Sequence, residues 1–390
     1  MEKRLNKTGL QVAILTMSFL QMATNAISAI LADISAEFPK VSIVTVQYLM
    51  TFPNLLVVVM SIVTARLSVC IPKKLLAMVG LCASLLAGIG SFLFHGSIGL
   101  LYFWAGVLGI GIGLVVPIAA SLIADYFNGR EKDALLGYQT AAANVGSMLM
   151  TFLGGILAVV GWYYNYLVYL LALPGIVFTM MFVPGHNVAM QEQLKGREKT
   201  GIKIPQKKRF YFVIAAVFML LFYMGPTNLA MFVGERGIGN TMTTGTAATI
   251  LLLGGTVMGL IFGVASSRMG KYTITLGFLM LALGFFMLYV AKNPLTLYLG
   301  SFMVGTSNTL VLPQCMGSVV TQNKEQSTFL MSAIFAIANL GTFLAPALTS
   351  VASVVMGNDM ASSRFLFTGS VAAACVVLSA AGIRFKFISE

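Results

Sequence analysis

Residues 109–117 read GIGIGLVVP, and residues 305–313 read GTSNTLVLP, 196 positions later. Each stretch lies inside a long apolar run and ends on a proline. The neighbouring runs repeat as well. Residues 143–149, ANVGSML, return as ANLGTFL at 338–344, 195 positions on, and Thr24-Asn25 returns as Thr227-Asn228, 203 positions on. One such match among apolar residues carries little weight. Three in the same order, spaced by close to half of a 390-residue chain, indicate an internal duplication whose halves run in parallel orientation.

Composition names the solvent. Hydrophobic residues make up 58% of the chain and charged residues 9%, against roughly 25% charged in a soluble domain. Mean hydropathy is +0.90. No soluble interior hides that much apolar surface, so the chain needs lipid. Twelve runs reach the roughly 20 residues of a bilayer crossing: 10–36, 43–68, 74–95, 98–126, 134–160, 162–183, 210–234, 242–267, 272–291, 295–321, 326–356 and 364–385. They predict helices, because a lone strand leaves its backbone polar groups unpaired in hydrocarbon, and the period-two alternation of a membrane barrel is missing.

The net charge of +12 does not point to nucleic acid, which needs its cations on one folded face. Here the 24 Lys and Arg fall in the gaps between runs or within a few residues of a run's end. With the N-terminus cytoplasmic, 20 lie inside and only Lys40, Arg236, Lys292 and Arg364 outside. The positive-inside rule then predicts both termini in the cytoplasm, an even number of crossings and residence in the cell membrane. Residues 184–209, PGHNVAMQEQLKGREKTGIKIPQKKR, form a basic linker suited to anionic lipid headgroups. They divide an N-terminal bundle, 1–183, from a C-terminal bundle, 210–390. Cys70, Cys82, Cys315 and Cys375 are unpaired in spacing, and only His95 and His186 add imidazoles, so no metal or other cofactor is expected.

Together these features resemble the major facilitator superfamily. Its signature after the second helix is Gly-x-Leu-x-Asp-Arg-x-Gly-Arg-Lys. Residues 65–74, ARLSVCIPKK, keep Leu67, Lys73 and Lys74 but carry Val69 for the acid and Pro72 for the second glycine. The second copy, GVASSRMGK at 263–271, keeps Gly263, Arg268, Gly270 and Lys271. Residues 124–137, ADYFNGREKDALLG, resemble the family's loop between helices 4 and 5. The helix-4 arginine common in its proton-coupled exporters is replaced by Ala105. Of the helix-5 Gly-x-x-x-Gly-Pro-x-x-Gly-Gly pattern, Gly146, Gly154 and Gly155 remain, with Met150 and Thr151 for Gly-Pro. The resemblance implies an all-α membrane protein, two six-helix bundles related by a pseudo-twofold axis, with helices 1, 4, 7 and 10 lining a central cavity.

No lysine or arginine is predicted near the middle of any run, which argues against a phosphorylated or dianionic solute. Amides and hydroxyls are left. In the first run Gln21, Asn25 and Ser28 follow i, i+4, i+7 spacing, one face of an α-helix. Tyr223, Thr227 and Asn228 surround Pro226 in the seventh, and Asn308 and Gln314 lie in the tenth. These are the candidate solute contacts, with interhelical hydrogen bonding as the plainer alternative for each. Asp33 lies inside the first run, nearer its outer end, whereas Asp125 closes the fourth at its cytoplasmic end; Asp33 is a candidate coupling group. Lys73, Lys74, Asp125, Arg130, Arg268 and Lys271 are candidate gating or loop residues. Gly109, Gly111, Pro117, Gly146, Pro226, Pro313 and Gly341 are assigned to close helix packing and kinks.

An enzyme would need a nucleophile, base or metal cluster, and no His/Asp/Glu constellation exists. A channel would show pore loops or charged rings. The expectation is therefore a monomeric, cofactor-free transporter of a small, neutral or weakly charged organic solute, working by alternating access. The alternative is proton-coupled efflux of a drug or metabolite through Asp33.

Overall fold

The structure is a computed structural model that describes residues 6–127, 129–185, 206–319 and 324–384. For some residues inside helices, Arg130 and Lys271 among them, only the backbone is described. Most of the basic linker, 186–205, lies outside the described residues. All regular structure among the described residues is helical, and twelve helices are long and apolar enough to cross a membrane. They are α1 (Lys7–Glu37), α2 (Ile43–Cys70), α3 (Lys73–Leu93), α4 (Ile98–Tyr126), α5 (Gly129–Leu157), α6 (Trp162–Phe182), α7 (Gln206–Arg236), α8 (Thr241–Met269), α9 (Thr273–Val290), α10 (Pro294–Ser318), α11 (Lys324–Met356) and α12 (Ala361–Arg384). The twelve runs of the sequence and the twelve helices coincide. Five residues at the start of α5, four at the start of α7 and three at the start of α12 escaped the apolar pattern, because polar or charged residues open those helices.

Two helices depart from α geometry. In α1 the α-helical ends, Lys7–Ser18 and Leu31–Glu37, flank a 3-10 segment, Phe19–Ile30, broken at Met22 (φ −120°, ψ 28°). In α6, Trp162–Leu171 is 3-10 and Ala172–Phe182 is α-helical. No glycine or proline lies in 19–30 to explain the break. Side chains from α5 and α6 do: Ser147 donates to the Met22 carbonyl (3.3 Å), Tyr169 to Ala23 (3.2 Å) and Asn165 to Ala26 (3.0 Å). Donors that insert into a helical ladder open it, and in lipid the freed carbonyls need such partners.

By packing, the chain forms two compact units, Met1–Ile27 with Phe52–Gly201, and Ser28–Thr51 with Ile202–Glu390. Within the first, α3 packs on α4, α1 on α5 and α6, and α6 on α3. Within the second the pairings recur six helices on: α9 on α10, α7 on α11 and α12, α12 on α9. Close approach is set by matched glycines. A β-carbon on Gly109 of α4 would stand 2.7 Å from the Pro53 carbonyl oxygen, and one on Gly305 of α10 would overlap the Leu251 carbonyl. Residues 28–51, which the run pattern groups with the first bundle, pack with the second unit. The core of that unit gathers Phe218, Phe232, Phe285 and Phe365, with Phe365 5.1 Å from Phe232 and 5.6 Å from Phe285 between ring centroids. Leu260, Val354 and Leu378 point outward, as lipid-facing side chains do without penalty.

Candidate functional site

The polar residues singled out on α1 sit on a segment whose pitch differs from the α-helix assumed for them. A 3-10 helix turns every three residues. Asn25 and Ser28 therefore share a face, whereas Gln21 lies about 120° round from them and on the far side of the break at Met22. Asn25 is half-buried, and its amide donates to Ser147 Oγ on α5 (3.2 Å). Ser28 is buried, and among the described residues its hydroxyl has no hydrogen-bond partner.

On α7, Thr227 and Asn228 are fully buried, and Tyr223 is half-buried. Thr227 Oγ1 donates to the Tyr223 carbonyl (2.7 Å), so the hydroxyl is used within the helix that holds Pro226. Asn228 is a junction. Its Nδ2 donates to the Met224 carbonyl (3.0 Å) and to Thr349 Oγ1 on α11 (3.5 Å), while its Oδ1 accepts from Gln47 Nε2 on α2 (2.8 Å) and from Arg364 Nη1 on α12 (3.1 Å). On α10, Asn308 and Gln314 are half-buried, and the Asn308 Oδ1 is buried without a protein partner among the described residues.

Two of these participants were not candidates in the sequence. Gln47 begins a stripe with Thr51 and Asn54 at i, i+4, i+7, the same spacing that flagged α1, and all three are buried. The run pattern places Arg364 with the outer cations at the edge of the twelfth run, with nothing to mark it as buried. Helix α12 starts at Ala361, so Arg364 lies in its first turn at 2% exposure. A single arginine at the edge of an apolar run carries no mark of its burial, because the acceptors that admit it come from α7 and α11.

Asp33 is half-buried near the end of α1 and accepts a hydrogen bond from Thr241 Oγ1 at the start of α8 (2.8 Å). In the first unit, Lys73 opens α3 almost fully buried. It pairs with Asp125 of α4 (2.5 Å, side chains 5% and 11% exposed) and also donates to Ser121. Lys74 donates to the Met180 carbonyl (2.7 Å), and Arg268 is exposed. The side chains of Arg130 and Lys271 lie outside the described set. Pro117, Pro226 and Pro313 all fall inside helices. Among the described residues no three His, Cys, Asp or Glu side chains converge as a metal site would require.

Twelve membrane-length helices in two units of like pairing, with amides and hydroxyls turned inward, define a polytopic solute transporter. The family model of the Major Facilitator Superfamily matches residues 13–346, and the chain belongs to that superfamily. Among solved structures, the peptide transporter POT, as a variant bound to alafosfalin, superposes with TM-score 0.76 at 14% identity, covering 98% of this chain and 96% of that one. A variant of the nucleoside transporter NupG gives 0.76 at 12%, covering 95% and 99%. The POT family transporter PepTSo gives 0.75 at 11%, covering 98% and 99%. No curated protein sequence matches the chain. The protein is integral to a membrane and moves solute across it; it is a transporter and not an enzyme.

Proposed function

We propose that the chain carries a small, neutral or weakly charged organic solute by alternating access. Its polar contacts come from Asn25 and Ser28 on α1, with Gln21 off their face, from Tyr223, Thr227 and Asn228 on α7, and from Asn308 and Gln314 on α10. One observation carries this reading. The buried polar atoms that find no protein partner among the described residues are neutral, Ser28 Oγ, Thr51 Oγ1, Asn54 Nδ2 and Asn308 Oδ1 among them. The buried cations Lys73 and Arg364 are already engaged by protein acceptors. A dianionic solute would need free cationic forks; a neutral polar one needs donors and acceptors of this kind. The distribution of Lys and Arg supports termini on the cytoplasmic face of the cell membrane, and the basic linker suits anionic headgroups.

A thermal-shift screen of metabolites on the purified protein, followed by counterflow in proteoliposomes, tests the reading. Neutral or singly charged solutes should stabilise the protein and show saturable counterflow. Stabilisation by dianions or phosphate esters alone would reject it. Proton-coupled efflux through Asp33 is the second reading, favoured by the placement of a half-buried carboxylate within α1.

A further inference from the structure

Asn228 Oδ1 serves two donors from different helices. Gln47 Nε2 reaches it from α2 and Arg364 Nη1 from α12, at 2.8 and 3.1 Å. Gln47 and Asn228 are fully buried, and Arg364 nearly so. The guanidinium has further contacts, Nε to Ser353 Oγ (3.3 Å) and Nη2 3.8 Å from Asp359 Oδ1. Its partner Asp359 is 84% exposed, so solvent screens that pair and the buried contact to Asn228 matters more.

An amide is chemically two-ended, one end donor and the other acceptor, whereas a guanidinium only donates. If Asn228 flipped, its NH2 would face Arg364 and Gln47 Nε2 together, three donors with no acceptor. Arg364 thereby dictates that the oxygen faces Gln47. The Gln47 Nε2 also donates to the Thr227 carbonyl (3.1 Å), whereas among the described residues its Oε1 has no hydrogen-bond partner, so the amide is held through its donor end.

Gln47 belongs to the stretch 28–51, the part of α1 and α2 that packs with the second unit. The rest of α2, from Phe52 onward, packs with the first unit, and Pro53 lies at the changeover inside the helix. Among the described residues, the side-chain contacts that join this stretch to the rest of the second unit include Gln47 to Asn228, Asp33 to Thr241 (2.8 Å), and Tyr48 to Phe343 (ring centroids 5.3 Å). Of these three, the Gln47 contact is the one that is fully buried and shares its acceptor with a cation.

We propose that Arg364 is a positioning residue for transport: by orienting Asn228 it latches Gln47, and with it the stretch 28–51, onto the second unit. Release of this latch is a step of the transport cycle. The inference rests on the transport reading, and its test does not require transport to be observed.

The experiment is a distance measurement by pulsed electron resonance on the full-length protein in lipid nanodiscs, in a background with the four native cysteines replaced. Spin labels go on Lys40→Cys in the stretch and Leu295→Cys at the start of α10, both exposed positions. The parent should show one dominant distance. Arg364→Met and Gln47→Leu should each lower the ratio of latched to released populations by about tenfold, the scale of one hydrogen bond to a charged group. The double variant should do no more than either single one, because both act through the same oxygen. Asn228→Asp keeps an acceptor for both donors and should retain the parent distance, whereas Asn228→Ala should not. Additive effects would overturn the proposal, as would an unchanged distribution in Arg364→Met. If Arg364→Met fails to run as a single species on size exclusion, Arg364→Gln with Asn228→Asp decides: a released Asn228→Asp overturns the latch. Counterflow failing in the parent while the distances respond as stated would fault the transport reading and leave the latch standing.

Discussion

Gly146 of α5 rests against Phe19 of α1, so closely that a β-carbon on the glycine would stand 2.6 Å from the Phe19 carbonyl oxygen. Gly341 of α11, 195 residues later, meets the Ala216 carbonyl of α7 in the same way. The hydrogen bonds repeat with the packing. Asn25 donates to Ser147 from α1 to α5, and Asn228 donates to Thr349 from α7 to α11. Both partners in each pair are displaced by nearly the same interval, so the duplication read from three short matches extends to contacts that no linear motif displays.

This packing predicts the response to small-to-large changes. Gly146→Val and Gly341→Val should each destabilise by about 1–3 kcal/mol, as overpacked sites do. Gly137→Ala should be neutral or slightly stabilising, since nothing lies within 4 Å of a β-carbon there. Thermal unfolding in detergent, followed by tryptophan fluorescence, measures all three.

Removing either asparagine should impair transport, but with different structural cost. Asn25→Ala deletes an interhelical bond of a kind worth about 0.6 kcal/mol on average. Asn228→Ala strips a shared acceptor from two buried donors, each left at a cost of about 1–3 kcal/mol. Counterflow rates set beside melting temperatures separate the two effects; normal transport by both variants would exclude them as solute contacts.

Lys73 and Asp125 form a buried pair, and breaking one partner of such a pair costs about 3–5 kcal/mol. Lys73→Met and Asp125→Leu should each lower the melting temperature sharply. The double variant should recover part of the loss, because neither charge is then stranded. Full additivity in this cycle would show that the two residues act independently.

Proton coupling is decided at Asp33. With an imposed pH gradient and no solute gradient, liposomes should show equal rates with and without the gradient, unchanged in Asp33→Asn. Uphill accumulation that vanishes in that variant would establish Asp33 as the proton carrier and reverse the mechanism proposed above.

The topology is checked by labelling. In intact cells, an impermeant maleimide should react with Lys40→Cys and spare Arg268→Cys, both at exposed positions. The reverse pattern would invert the orientation.

The twelve crossings, the duplicated halves and the absence of a fourth-helix arginine at Ala105 were all legible in the linear chain. Lipid imposes its demand on every residue of a span separately, so hydropathy alone marks each helix. A duplication likewise leaves its trace at a constant interval. Partnership does not work that way. The break at Met22 exists because Ser147, Asn165 and Tyr169, more than 120 residues away, take up the carbonyls of α1. Arg364 is tolerated inside α12 because Asn228, 136 residues earlier, offers it an oxygen. Only the tertiary structure brings those donors and acceptors within three ångströms or so, and at that range a hydrogen bond decides what burial alone would forbid.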